Sequence, residues 1–409
     1  MKRKRILVIG INSVPELTGI GKYTGDMLYW LVDQGHDVTM VTAPPYYPQW
    51  KVAEEYSTLK FKKERIMPGL TIYRCPLYVP ARPNGKKRIL HEASFFITAF
   101  LVVARLLFKK RYDNVIVAAP PFHLGLLGLF YRFFRKTRLH YHLQDLQVDA
   151  ARELGMLKSG WLLTAVSGLE KYILRNADIV STISAGMKRK VKAKVARHVA
   201  LFPNWVDTKV YFPVSGGSAL KREFGFLPED KIVLYSGSIG EKQGLEMILD
   251  VALMLKEQSA LKLVICAEGP FKEDLKRRAA ERNAGNIFFI PLQPKDNFNK
   301  FLNMADVHLV IQKSGAGDLV MPSKLASIFA VGGLVIVTAA TGTSLFEQLN
   351  RYDIGLVIPP DDPEGLARAI VNSLDTCHCQ QRVNARVYAE QYLCKSVILG
   401  ELPSLLDGV

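Results

Sequence analysis

Short apolar runs bounded by turn residues alternate with longer helical patterns along this chain, and the alternation runs through twice. Strand-like runs at Arg5–Ile9, Asp37–Thr42, Thr71–Arg74, Asn114–Ala118, Arg138–His142 and Ile179–Ile183 are separated by stretches such as Tyr23–Gln34 and Ser94–Phe108. A second set begins at Lys231–Ser236. It continues through Leu261–Cys266, Ile287–Ile290, Val307–Ile311, Leu334–Thr338 and Gly355–Ile358, with helical patterns at Gly244–Lys256, Lys272–Arg282, Pro363–Leu374 and Asn384–Tyr392. Strands that alternate with helices imply a parallel sheet covered on both faces. Two such sets in 409 residues predict two doubly wound α/β domains, each long enough to bury its own core. The seam falls near Pro203-Asn204-Trp205, and a ligand is expected in a cleft faced by strand C-termini.

Charge divides the chain at the same place. Residues 1–205 hold 33 Lys+Arg and 14 Asp+Glu, a balance of +19, whereas 206–409 hold 21 and 24, a balance of −3. A basic half suits nucleic acid, an anionic membrane or a phosphorylated substrate. Apolar residues at 49% and charged ones at 22% exclude wholesale disorder and a collagen. Five scattered cysteines do not form a disulfide framework, which points to a reducing compartment. Cys377 and Cys379 flank His378, but no second ligand cluster accompanies them, so zinc is not expected.

The start, Met1-Lys2-Arg3-Lys4-Arg5-Ile6-Leu7-Val8-Ile9-Gly10, lacks the long apolar run and cleavage site of a signal peptide and reads as a buried first strand. The most apolar stretch, Phe95–Phe108, has 14 residues, fewer than the ~20 a membrane span needs. Lys86-Lys87-Arg88 and Lys109-Lys110-Arg111 bracket it. A second run, His123–Phe134, ends in Arg135-Lys136. Each reads either as a core helix or as a helix lying on a membrane surface.

Three turns carry the chemistry. Gly19-Ile20-Gly21-Lys22 runs into a helix, where glycines let the backbone approach a phosphate. Eight residues separate it from Gly10, too many for a dinucleotide fingerprint. Ser236-Gly237-Ser238-Ile239-Gly240-Glu241-Lys242 follows a strand and opens a helix, placing Lys242 where a diphosphate is attracted. Asp318 to Lys324 precedes another helix, with Ser323 and Lys324 near its start. Ser323 reads alternatively as a simple N-cap. In the first half, His142 and Asp145 stand at a strand end, where they could address an acceptor hydroxyl. No Asp-x-Asp occurs, so no carboxylate pair is offered to a metal-bound diphosphate, and Lys242 and Lys324 with backbone amides would take that role.

Several long segments in the same order resemble the family 4 glycosyltransferases of the GT-B fold, and more closely the WcaI-type transferases of colanic acid synthesis. They are 15–25, Thr42-Ala43-Pro44-Pro45-Tyr46-Tyr47-Pro48-Gln49-Trp50, 74–80, Phe202-Pro203-Asn204-Trp205, 236–246 and Pro322-Ser323-Lys324-Leu325. The resemblance implies two Rossmann-like domains facing a central cleft. Residues 1–205 would bind the acceptor and face the membrane, 206–385 would bind the nucleotide sugar, and a helical segment 386–409 would pack back on the first domain. It further implies a metal-independent, retaining sugar transfer with no cofactor beyond the nucleotide-diphosphate sugar. The acceptor would be a lipid-diphosphate-linked saccharide at the inner face of a bacterial cytoplasmic membrane. Fucose from GDP-fucose follows from the closer resemblance alone.

Gly19, Gly21, Ser238, Lys242, Asp318, Ser323 and Lys324 would hold the donor, and His142 and Asp145 would be catalytic. Ser238 stands where the family has an arginine, Ser327 where a second glutamate is usual, and Asp318 is the acid nearest the first. Two other readings are a non-hydrolysing nucleotide-sugar epimerase of the same architecture and a non-enzymatic membrane-associated assembly factor. No nucleic-acid partner is expected.

Overall fold

The computed structural model describes residues 3–16, 19–153, 160–239, 244–268, 271–314 and 322–407, with Glu153 and Ser238 described by backbone alone. The chain forms two compact units, one of residues 1–203 with 399–409 and the other of residues 204–398.

The first unit is built on eight strands: β1 (Arg5–Ile9), β2 (Asp37–Thr42), β3 (Lys62–Met67), β4 (Leu70–Arg74), β5 (Asn114–Ala119), β6 (Arg138–Leu143), β7 (Ile179–Thr182) and β8 (Ala200–Leu201). Their order across the sheet is β3-β4-β2-β1-β5-β6-β7-β8. All neighbours are parallel except β3, which pairs antiparallel with β4. The periodicity above does not reveal β3, because Lys62-Lys63-Glu64-Arg65-Ile66-Met67 is an edge strand that is mostly exposed, with only Glu64 and Met67 half-buried, and lacks a buried strand's apolar signature. Central β1 shows the opposite pattern, with Ile6, Leu7, Val8 and Ile9 all fully buried, as a strand covered on both faces requires.

The apolar run 95–108 lies within a longer helix, Gly85–Leu106, capped by Asn84, whose side chain accepts from the Lys87 N–H. At 22 residues, with a mean hydropathy of 1.7 over its best window, it is long and apolar enough to cross a membrane by length and composition. The shorter extent read from the sequence is thereby corrected, because the capped first turn is polar. His91, Phe95, Ala99, Val102, Val103 and Leu106 recur at helical spacing and are buried. Ser94 Oγ accepts from Tyr78 N at 2.9 Å, and Thr98 Oγ1 donates to Pro76 O at 2.6 Å. The outer face is also apolar, with Ile89, Leu90, Ile97 and Leu101 each more than half exposed. The helix Gly125–Arg135 likewise leaves Phe133 and Phe134 in the open. Both helices therefore pack one face on the core, as a core helix would, and leave apolar side chains outside.

The second unit holds β9 (Lys231–Ser238), β10 (Leu261–Glu268), β11 (Ile287–Ile290), β12 (Val307–Val310), β13 (Val335–Thr338) and β14 (Leu356–Ile358). All neighbours are parallel, in the order β11-β10-β9-β12-β13-β14. Numbered within this unit the order is 3-2-1-4-5-6, that of a dinucleotide-binding sheet. Alternate residues feed two cores. Ile232, Leu234, Val264, Val335 and Val337 join one cluster, and Val233, Tyr235, Leu263, Ile265 and Ile336 the other. Each such aliphatic side chain contributes about 1.5–3 kcal/mol on full burial.

The helix Cys379–Tyr392 belongs to this second unit, where Ala385, Tyr388 and Ala389 enter its core. The chain rejoins the first unit only at Leu399. There Leu399, Leu402 and Leu406 are buried, Asn114 Nδ2 donates to Leu406 O at 3.1 Å, and Lys4 pairs with Asp407. Cys377 and Cys379 are joined in a disulfide, a pairing the scattered cysteine positions did not suggest, while Cys75, Cys266 and Cys394 are free.

Candidate functional site

In the second unit the strand order reverses between β9 and β12, so the crevice for a ligand opens at their C-terminal ends. At the end of β9 the ring of Tyr235 carries the ammonium of Lys324, whose Nζ is 3.5 Å from the ring centroid. That Nζ is fully enclosed and finds no hydrogen-bond partner among the described residues. Burial lowers its pKa from 10.5 to about 7. Gly237, two residues beyond Tyr235, has φ +145°, and a Cβ there would stand 2.9 Å from Lys324 Nζ. The backbone conformation therefore favours glycine, and its missing Cβ leaves room for the tip of the lysine. On the β12 side, the Lys313 stem packs where a Cβ on Gly244 would lie, at 2.8 Å. Thr338, ending β13, ties Gln312 in place by accepting from its N–H at 2.7 Å and donating to its carbonyl at 2.8 Å.

Among the other residues expected to hold a donor, Lys242 and Asp318 lie outside the described residues. Ser238 ends β9 opposite Glu268 in register. Ser323 occupies the position before the helix Lys324–Ala330 with helical dihedrals (φ −61°, ψ −23°) and makes no side-chain capping bond, so the simple N-cap reading fails. Ser327, in the place of a family glutamate, is buried and donates to Lys324 O at 3.0 Å, which supports the backbone that carries the lysine.

In the first unit Gly19 and Gly21 open the helix Gly19–Asp33. A Cβ on Gly21 would meet Glu16 Oε2 at 2.5 Å, and one on Gly25 would meet Val14 Cγ1 at 2.3 Å. These glycines let the loop after β1 lie directly on the helix, so they belong to a packed joint rather than a free surface loop. The Glu16 carboxylate is buried there. Its Oε1 accepts from Tyr46 N and Tyr47 N, both at 3.0 Å, and its Oε2 from Asn12 Nδ2 at 2.9 Å. Burial raises its pKa to about 7, against the opposing pull of those donors. Buried Arg74 braces the same loops by donating to Val14 O at 2.7 Å and Ala43 O at 3.3 Å, and it pairs with Glu64 at 2.9 Å. Neither Glu16 nor Arg74 stands out in sequence, because each finds its partners 30 or more residues away except for Asn12 and Glu64.

His142, on β6, is 4% exposed and Asp145 is half-buried in the turn that follows. His142 Nδ1 is 2.8 Å from Ser181 Oγ on β7, and His140 Nε2 reaches the same hydroxyl at 2.7 Å. Burial pushes the His142 pKa down to about 4, and burial with the neighbouring His142 pushes that of His140 to about 3, so both rings are neutral near pH 7. Among the described residues, no group of three His, Cys, Asp or Glu side chains could hold a metal ion.

Two Rossmann-like units in one chain are the architecture of the GT-B fold. Residues 18–205 match the model of a glycosyl transferase 4-like domain and residues 218–391 that of glycosyl transferases group 1. WcaI of Escherichia coli (strain K12), assigned by name to colanic acid biosynthesis, is 39% identical over 99% of this chain and 100% of its own. The chain belongs to the family 4 glycosyltransferases of the GT-B fold, close to the WcaI type, which sets aside the epimerase and the assembly factor. Among solved structures, sucrose-phosphate synthase from Thermosynechococcus elongatus shares the fold with a TM-score of 0.78, at 18% identity over 99% of both chains. HepE of Anabaena, solved with UDP and glucose, does so at 0.71, with 14% identity over the whole of both chains.

Proposed function

We propose that this glycosyltransferase moves a sugar from a nucleoside-diphosphate sugar to a lipid-diphosphate-linked saccharide in the assembly of a bacterial exopolysaccharide of the colanic acid kind. One observation carries the donor half of this reading: the enclosed ammonium of Lys324, without a hydrogen-bond partner among the described residues, at the switch point of the second sheet. A buried cation of that kind is costly unless an anion completes it. A diphosphate does so, and as the sugar departs the negative charge on the leaving group grows, so the same ammonium favours the transition state over the ground state. Lys242 would add a second cation. Gly19, Gly21, Ser238, Asp318 and Ser323 complete the proposed donor set, and His142 and Asp145 address the acceptor. Transfer on one face of the sugar, with retention, needs no protein nucleophile.

The acceptor half rests on the first unit. Its exposed apolar side chains on the helices 85–106 and 125–135 stand beside Lys86, Lys87, Arg88, Lys109, Lys110 and Arg111, a combination suited to resting on an anionic membrane where a lipid-linked saccharide is met. GDP-fucose is the first donor to try, on the strength of the WcaI likeness.

A panel of nucleotide sugars, GDP-fucose, GDP-mannose, UDP-glucose and UDP-galactose among them, tested for protection against thermal unfolding checks the reading. A donor at 100 times its Kd adds about 2.7 kcal/mol. Protection by one of them that is lost in Lys324→Met is expected, and protection by none would overturn it.

A further inference from the structure

Resting on the reading of His142 as a residue that faces the sugar, we propose that Ser181 is a positioning residue: it relays a proton order from His140 that locks His142 as the tautomer with hydrogen on Nε2, so that His142 presents a hydrogen-bond donor, not a base, to a saccharide oxygen. The relay follows from strand geometry. His140 and His142 are two apart on β6 and so share a face of the sheet. Ser181 pairs with His142 in register on β7, which puts its hydroxyl within reach of both rings. His140 and Ser181 are enclosed, at 1% and 0% exposure, His142 keeps the most access of the three at 4%, and the Phe202 ring packs against it edge-on at 5.3 Å.

Proton bookkeeping then selects one arrangement. The hydroxyl lies 2.7 Å from His140 Nε2 and 2.8 Å from His142 Nδ1, and it carries a single hydrogen. If it donates to His140, that ring must keep its hydrogen on Nδ1, and His140 Nδ1 is buried with no partner among the described residues. An orphaned buried N–H is among the rarest features of folded proteins, rarer than an acceptor with an unused lone pair. An order in which both rings donate to Ser181 Oγ would leave the buried hydroxyl's own hydrogen without an acceptor among the described residues, so the favoured order is His140 Nε2–H donating to Ser181 Oγ and Ser181 Oγ–H donating to His142 Nδ1. His142 is left with its hydrogen on Nε2, the ring edge turned away from Ser181. Both rings are neutral, so neither contact is relieved by an extra proton. A ring fixed in this way can orient a hydroxyl or ring oxygen of a bound sugar, and it cannot abstract a proton.

Histidine labelling with 15N and two-bond 1H–15N correlation tests the relay without any substrate. The chain has eight histidines, and the His142 signals are those lost in His142→Gln. The wild type should show His142 as the Nε2–H tautomer, Ser181→Ala a mixture, and Ser181→Thr, which restores the hydroxyl on a strand-compatible residue, the wild-type pattern. Should Ser181→Ala fail to fold, His140→Phe removes the first donor of the chain and should produce the same mixture. Release of nucleoside diphosphate from the donor that protects the wild type should fall about three- to tenfold in Ser181→Ala and recover in Ser181→Thr. A wild-type His142 with hydrogen on Nδ1, or one unchanged in both Ser181→Ala and His140→Phe, would overturn the relay. The expected tautomers together with no nucleotide release by the wild type would instead overturn the glycosyl-transfer reading.

Discussion

The Nζ of Lys324 rests 3.5 Å from the centre of the Tyr235 ring and donates no hydrogen bond among the described residues. A cation–π contact is worth about 0.5–2 kcal/mol, less than the several kcal/mol that enclosing an ammonium costs, so the lysine is a liability to the fold that ligand binding would relieve.

Lys324→Met should therefore fold at least as stably as the wild type while losing about 1.5–3 kcal/mol of donor affinity. The pH dependence has a definite sign. The folded pKa, about 7, is below the unfolded value of 10.5, so the unfolded chain binds the extra proton throughout that interval. Wild-type stability relative to Lys324→Met should rise with pH from about 7 towards 10, by up to about 1.4 kcal/mol per unit from this group. Donor affinity should fall over the same range as the amine loses its charge. Parallel melts and titrations at pH 6.5, 8 and 9.5 would expose a flat profile, which would contradict the burial of a titrating Lys324.

Gly21→Ala should lower the melting temperature of the first unit. Its new Cβ would sit 2.5 Å from Glu16 Oε2 and 2.8 Å from Glu16 Cβ, so the loop after β1 must move. Overpacking of this kind costs about 1–3 kcal/mol. Gly35→Ala is a control for backbone effects, since nothing lies within 4 Å of a Cβ there and only the positive φ of +84° opposes it. Equal melting shifts in the two variants would show that the contact with Glu16 does not matter.

Transfer should persist in EDTA. No Asp-x-Asp is present in the sequence, and the lysines proposed at the diphosphate supply positive charge without an ion. Activity that disappears on chelation and returns with magnesium or manganese would refute the lysine assignment.

Flotation with vesicles containing phosphatidylglycerol should carry the protein upward, more weakly as salt rises. Each basic residue near an anionic surface contributes about 1 kcal/mol, decaying within a Debye length. Neutralising Lys86, Lys87, Arg88, Lys109, Lys110 and Arg111 should reduce flotation, and so should Phe133→Ser with Phe134→Ser, since both rings are more than half exposed. Equal partition into neutral vesicles, or none into either, would reject the membrane-facing role of this surface.

Much of the architecture was open to reading along the chain, because a strand's alternation and a helix's 3.6-residue period are local properties. The apolar runs of β1, β2 and β9 announced parallel strands, and the turns after β9 and before Lys324 offered the proposed diphosphate site. Gly19, Gly21, Ser238 and Lys324 could all be marked as candidates from their neighbours in sequence. What each would touch could not, because parallel pairing joins residues far apart in the chain and its register is a non-local outcome. Ser181 reaches His142 across 39 residues, and Glu16 holds Tyr46 and Tyr47 across 30 and 31. Edge strand β3 escaped notice because exposure on both sides removed its apolar signal. The outer face of the helix Gly85–Leu106 remained undecided for a related reason: hydrophobicity is written in the residues, but which face of a helix finds a sheet to cover it is decided only when the sheet assembles. Composition and local period thus determined the two-domain α/β plan and the residue types available to a diphosphate, whereas long-range packing alone decided which lysine is enclosed, which histidine is oriented and which apolar surface is left uncovered.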